Sequence, residues 1–165
     1  MELISSDTSV WIDYSAIRRL ELPFRLPFTY IMCKDAVDDE LLSPPGLGAQ
    51  LISWGLVAVD ITIEEFYLSQ EFGPVYPKLS RYDRIALAIA KERRITLLTG
   101  DKALRNAAQQ EKVHFMGTLG ILDLLLQRKA IDKIEMRYCL NELKANNGRA
   151  VRLPVNEIEK RLASL

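Results

Sequence analysis

The apolar positions of this chain change their period several times, and each change marks an element. Glu2 to Ser6 is a short β-leaning run that ends at Asp7. Val10, Ile17 and Leu20 recur at helical spacing, so a helix is predicted over 10–20. Phe28 to Cys33 is nearly continuous in apolar residues, the mark of a strand buried on both faces. Short helices are predicted at 36–42, stopped by Pro44-Pro45-Gly46, and at 47–54. A third strand follows at 56–61, then a helix over 63–72 ended by Gly73-Pro74. Ser80 to Arg94 is the clearest helix, apolar over much of its surface and therefore largely buried. A strand is expected at 95–99, a helix opened by Asp101 and running to about 111, and a last short strand at 113–116. Helices then follow at 119–128, 131–145 and 155–162, with Asn146-Asn147-Gly148 as a break.

Strands that alternate with helices imply right-handed βαβ units and a parallel sheet covered on both faces. The expected class is α/β, a three-layer α/β/α sandwich with a helical C-terminal tail. The domain proper is expected over 1–130, with 131–165 as a helical extension packed on it. No internal repeat or low-complexity tract interrupts this plan. In such sheets ligands bind outside the carboxyl ends of the strands, so the polar residues just after strands are the ones to examine.

Four acids answer that description. Asp7 follows the first strand and Asp101 the fourth, while Glu40 lies on the helix after the second strand and Asp83 in the first turn of the buried helix. Clustered carboxylates raise one another's pKa unless a cation neutralises them, and hard oxygen ligands select Mg²⁺ or Mn²⁺. Such a site activates water and stabilises charge on a phosphate under attack. Each acid also has a plainer role open to it. Asp7 and Asp101 suit helix N-caps, Asp83 suits a capping box begun by Ser80, and Glu40 suits a solvated helix face. Their shared location at one end of the sheet favours a joint site.

Composition narrows the choice. Lys+Arg and Asp+Glu both number 22, so phosphate contacts must come from local patches or bound cations. His114 is the single histidine, which excludes a histidine-rich metal centre and reads as structural. Cys33 and Cys139 have neither zinc-ligand nor disulfide spacing and read as reduced packing residues. The start lacks a basic n-region with a long apolar run, and no stretch is long enough to span a membrane, so a cytoplasmic location is expected. Asp13 and Asp123 read as helix-surface residues, with a place supporting the acids from behind as the alternative for each. Lys102 and Arg105 divide between phosphate contact and a solvated face, and Lys91, Arg93 and Arg94 suit a helix C-terminus. Trp11, Trp54, Tyr76 and Tyr82 offer stacking surfaces but have packing as their default.

The order and spacing of these segments resemble the PIN-domain family, including the VapC-like toxins of bacterial and archaeal toxin–antitoxin pairs. The opening from Ser6 to Asp13 is similar to that family's first-strand motif, and Val37 to Leu41 to its helical glutamate motif. Asp83 to Ala90 resembles its third-acid helix, Leu97 to Arg105 its fourth-acid motif, and Gly117-Thr118-Leu119-Gly120 the segment after its last strand. The likeness runs over roughly residues 3–130, and the stretch between Glu40 and Asp83 follows none of its motifs. It implies a PIN-like fold, Mg²⁺ or Mn²⁺ as cofactor and RNA as substrate. It assigns metal binding and catalysis to Asp7, Glu40, Asp83 and Asp101, with a hydroxyl of Ser9 or Thr99 orienting a carboxylate or water. It also implies an antitoxin protein as partner and a homodimer, for which Leu124, Leu125, Ile134 and Leu140 offer apolar surface.

The expected function is a metal-dependent endoribonuclease, the toxin of a toxin–antitoxin pair. The alternative is an inactive PIN-fold module that binds RNA or protein, which loss of one acid would favour; all four are present. A haloacid-dehalogenase-like phosphatase would need a second aspartate two residues after the first, and position 9 is Ser.

Overall fold

The computed structural model describes residues 1–165. Five strands, β1 (Glu2–Ser6), β2 (Phe28–Cys33), β3 (Val57–Val59), β4 (Thr96–Leu98) and β5 (Phe115–Met116), form one sheet. Their order is β3-β2-β1-β4-β5 and every pairing is parallel. The helices are α1 (Thr8–Ala16), α2 (Lys34–Glu40), α3 (Leu47–Trp54), α4 (Ile63–Val75), α5 (Arg81–Arg93), α6 (Lys102–Gln110), α7 (Thr118–Gln127), α8 (Lys133–Ala145) and α9 (Val155–Ala163). The α/β/α class expected from the alternation is the fold observed.

The order of the strands reverses at β1. The chain places β2 and β3 on one side of it, then returns to add β4 and β5 on the other. That makes the gap between the carboxyl ends of β1 and β4 the switch point of the sheet, where helices depart in opposite directions and leave a crevice. Backbone pairing holds the two strands together up to the rim, with the Asp7 N–H donating to the Leu98 carbonyl at 2.9 Å.

Both faces of the sheet are covered. Leu97 and Leu98 are fully buried neighbours on one strand and join different cores, since successive strand side chains alternate faces. Leu98 lies with Ile4, Trp11, Tyr14, Tyr30 and Leu122. Leu97 lies with Phe72, Leu87, Leu104 and Ala108. α5 contributes to both, which is why it reads as apolar around most of its surface.

The tail helices share the larger core. Met136, Cys139, Leu140 and Leu143 of α8 and Ile158 of α9 join the cluster that contains Ile4 and Trp11. Arg161 of α9 also grips Asp123 of α7 through two hydrogen bonds of 2.9 and 2.8 Å, so Asp123 is an ion-pair partner as well as a surface residue. The apolar surface expected for pairing of two copies is corrected here. Leu125 and Leu140 are fully buried in this core and Leu124 is partly buried, leaving Ile134 as the exposed member of that set.

Some boundaries moved for local reasons. α1 stops at Ala16 rather than near Leu20, because Arg18 takes a left-handed conformation at φ 58°. Leu22–Arg25 then forms an unanticipated 3₁₀ turn, whose Phe24 stacks on Trp11 at 5.3 Å. α4 does not end at Gly73-Pro74 but runs on to Val75, and the Tyr76 N–H closes its last turn on the Phe72 carbonyl at 2.8 Å. Proline is tolerated there because so little helix follows it. No helix is long and apolar enough to cross a membrane.

Candidate active site

The switch point gathers the acids into a row. Asp7 sits where β1 gives way to α1, with its side chain accepting from the Thr8 N–H at 2.7 Å as the helix N-cap. Its other oxygen, Oδ2, accepts from Ser9 Oγ at 2.9 Å and from Thr99 Oγ1 at 2.8 Å. The Thr99 bond spans the crevice from β4 to β1. Ser9 Oγ in turn accepts from the Gly100 N–H at 2.9 Å, and Thr99 Oγ1 from the Asp101 N–H at 3.0 Å. The two loops that leave the sheet are thereby tied to one carboxylate. Both hydroxyls singled out in the sequence do orient Asp7.

The other three acids stand around it. Asp101 caps α6 by accepting from the Leu104 N–H at 2.8 Å. Asp83 completes a capping box with Ser80, accepting from its N–H at 2.9 Å. Glu40 ends α2 and accepts from Thr8 Oγ1 at 2.9 Å. Thr8 was not anticipated as a positioning residue; its place directly after Asp7 in the first turn of α1 was the only sign. The capping roles and the clustering therefore coexist. Each cap occupies one oxygen, so Glu40 Oε2, Asp83 Oδ1 and Asp101 Oδ1 accept nothing from the protein.

Electrostatics set this group apart. Burial pushes the Asp7 carboxyl above its ordinary value, the Asp83 charge adds to that, and the bonds from Thr99, Ser9 and Thr8 oppose it. Glu40 is raised by burial and by the charges of Asp7, Asp83 and Asp39, against the Thr8 bond. Asp83 is raised by burial and by Asp101, against its bonds to Ser80 and the charge of Arg84. None of the seven ion pairs of the chain involves any of the four acids. Partly desolvated carboxylates that form no ion pair and keep free oxygens are the donor set a hard divalent ion fits. No three acidic, histidine or cysteine side chains converge closely enough to form a ready-made ligand cluster. Repulsion between like charges and the pull of separate helix N-termini account for that spread.

Several other expectations are corrected. Asp13 is not on the surface. It is 5% exposed, accepts from Thr118 Oγ1 at 2.6 Å, and burial pushes its pKa up to about 6 against that bond. Gly117 brings this segment in, because a Cβ there would meet the Thr99 carbonyl at 3.1 Å. Lys91 and Arg93 do more than face a helix dipole: Lys91 pairs with Glu111 at 2.6 Å and Arg93 with Glu65 at 2.8 Å. Trp11 is fully buried and donates to Ser6 Oγ, while Tyr76 and Tyr82 donate to Glu111 and Asp39. Trp54 alone of these aromatics is substantially exposed, on α3. His114 lies at the opposite end of the sheet, in a cavity with Glu2 and Thr96, away from all four acids.

The DUF3368 family model, described as a PIN domain, matches residues 3–164. The chain therefore belongs to the PIN-domain family, whose members are in general nucleases that use divalent metal ions. The match reaches through α9. No curated protein and no solved structure matches the chain.

Proposed function

We propose that this protein is a Mg²⁺- or Mn²⁺-dependent endoribonuclease whose active residues are Asp7, Glu40, Asp83 and Asp101. The observation that carries the reading is the set of carboxylates at the switch point, none of which forms an ion pair and three of which are raised by burial and by one another. A divalent ion held there supplies Lewis acidity and lowers the pKa of bound water. The chain's own part is to hold the carboxylates ready. Asp7, fixed by Ser9 and Thr99, anchors the centre of the row. Glu40, Asp83 and Asp101 present their free oxygens from three different helices, and any of these carboxylates can accept a proton from attacking water.

The family supports nucleic acid as the ligand class. RNA, a role as toxin with an antitoxin partner, and a homodimer rest on the VapC-like resemblance of the motifs. Residues 131–165 are proposed as an extension of the PIN domain rather than a separate unit, in keeping with their share of its core. Purified protein is expected to cut single-stranded RNA internally in Mg²⁺ or Mn²⁺ and to stop in EDTA. Cleavage that continues unchanged in EDTA contradicts the reading.

A further inference from the structure

We propose that the cavity on the Asp101 side of the acid row seats a backbone phosphate next to the one being cut, held by Lys102, Arg105 and Arg152. This rests on the nuclease reading above and extends it to the path of the substrate. The cavity has a volume of about 410 Å³, and its walls include Ser9, Asp13, Asp101, Lys102, Arg105 and Arg152. It thus opens directly from the network that fixes Asp7.

Three features point to an anion. First, the three cations form no ion pair, although Asp13 and Asp101 line the same space. Elsewhere in the chain arginines near carboxylates are engaged, as Arg161 is with both Asp123 and Glu157. Second, Arg105 Nε is the one buried side-chain nitrogen or oxygen without a hydrogen-bond partner. A guanidinium with a donor stranded in this way gains more than an ordinary surface arginine when an anion settles beside it.

Third, Arg152 is delivered by a built turn rather than a loose end. Val151 beside it is fully buried, and its carbonyl accepts from the Gly148 N–H at 2.8 Å. On the other side the Leu153 N–H donates to Asn147 Oδ1 at 3.1 Å. The exposed Arg152 is therefore pinned at both neighbours and carried to the cavity wall from the far end of the sequence. Its planar fork suits phosphate oxygens.

The strand proposed here places one phosphate at the acids and the next in this cavity. The ligand proposed is therefore a polynucleotide. In a chain of zero net charge such a patch supplies the attraction that the whole molecule lacks.

The test is equilibrium binding of a labelled single-stranded RNA in EDTA, followed by fluorescence anisotropy over a range of KCl concentrations. Wild type is expected to bind, and Lys102→Gln, Arg105→Gln and Arg152→Gln each to flatten the plot of log K against log salt by about 0.7. The triple variant should bind about tenfold or more weakly, while Arg137→Gln on α8 should match wild type. Lys102 and Arg152 are exposed, so those two variants report even if Arg105→Gln proves unstable. Absence of binding by wild type, an unchanged slope in the triple variant, or an equal loss in Arg137→Gln overturns the proposal. Flattened slopes together with no cleavage in Mg²⁺ or Mn²⁺ uphold the phosphate seat and remove the nuclease reading instead.

Discussion

Two buried carboxylates of this chain end up shifted in opposite directions. Glu65 is 1% exposed and Asp7 is 7% exposed, so both have lost most of their water. Around Glu65 the chain provides a cation: Arg93 donates from Nε at 2.8 Å and from Nη2 at 3.1 Å, and the Thr62 N–H donates at 2.8 Å. Burial opposes ionisation there too, but Arg93 and the Thr62 cap outweigh it and hold the carboxyl below its ordinary value. Around Asp7 there are hydroxyls, one amide and another acid, and the carboxyl ends up raised. The first arrangement completes itself and serves the packing of α4 on α5. The second is short of positive charge, and a protein keeps such a deficit where a ligand makes it good.

The largest expected contrast is in activity. Asp7→Asn preserves the shape and the cap, yet removes the charge at the centre of the row. Metal-assisted catalysis is worth several kcal/mol, so cleavage of RNA should fall about a hundredfold or more. Glu65→Ala, compared per folded molecule, should cut at close to the wild-type rate. Similar losses in both would erase the distinction between the two carboxylates.

Stability should show the reverse ranking. Glu65→Ala strands Arg93 and dismantles the Thr62 capping box, which should cost about 3 kcal/mol in urea unfolding. Metal-free Asp7→Asn should cost much less, because the like charge that leaves the row offsets the hydroxyl bonds of Ser9 and Thr99 to Oδ2.

The pH dependence sharpens the same comparison through Asp13. Burial lifts its pKa to about 6 in the folded protein, against about 3.9 in an unfolded chain. The folded state therefore binds this proton more tightly. The resulting stability is fully present below the unfolded value and is lost as pH rises to about 6. Glu65 has the opposite sign: its contribution is present above its unfolded pKa and is lost as pH falls through the lowered folded value. Asp13→Asn should remove a decline of up to about 3 kcal/mol over that window, seen as urea midpoints that fall less with pH than those of wild type. Midpoints that track wild type would show that Asp13 ionises without penalty.

A smaller effect is expected from Thr99→Val. It takes one donor from Asp7 Oδ2 and leaves the Asp101 N–H without its acceptor. Loss of a group that orients a ligand costs about tenfold to a hundredfold in activity or metal affinity. An unchanged rate would place the weight of positioning on Ser9 alone.

How much of this could be read from the sequence follows from how local each signal is. The strand at Phe28–Cys33 and the helix at Leu47–Trp54 have the predicted bounds, since a nearly continuous apolar run and the helix after Pro44-Pro45-Gly46 are local features. The placing of Asp7 and Asp101 after strands was legible for the same reason. Asp13 and Thr118 were not, because their bond joins residues 105 positions apart and appears only once α7 packs on α1. Arg93 looked like a helix-terminal cation, and its partner Glu65 was not singled out. Nothing in either segment reports that two helices bring them together. Leu125 and Leu140 looked available for a partner molecule because the sequence, though it suggested a tail packed on the domain, does not say which faces of α7 and α8 that packing covers.

The central claim is that the acid row at the switch point binds a divalent ion as a unit. It is tested most directly by thermal melts of wild type, Asp7→Asn, Asp101→Asn and Glu65→Gln, each with and without Mn²⁺. A ligand at a hundred times its Kd stabilises by about 2.7 kcal/mol. Wild type and Glu65→Gln should show a shift of that order, and the two row variants should lose most of it while the metal-free melt of Asp101→Asn holds or rises. Equal Mn²⁺ shifts in all four proteins would contradict the account and leave Asp7 and Asp101 as helix caps.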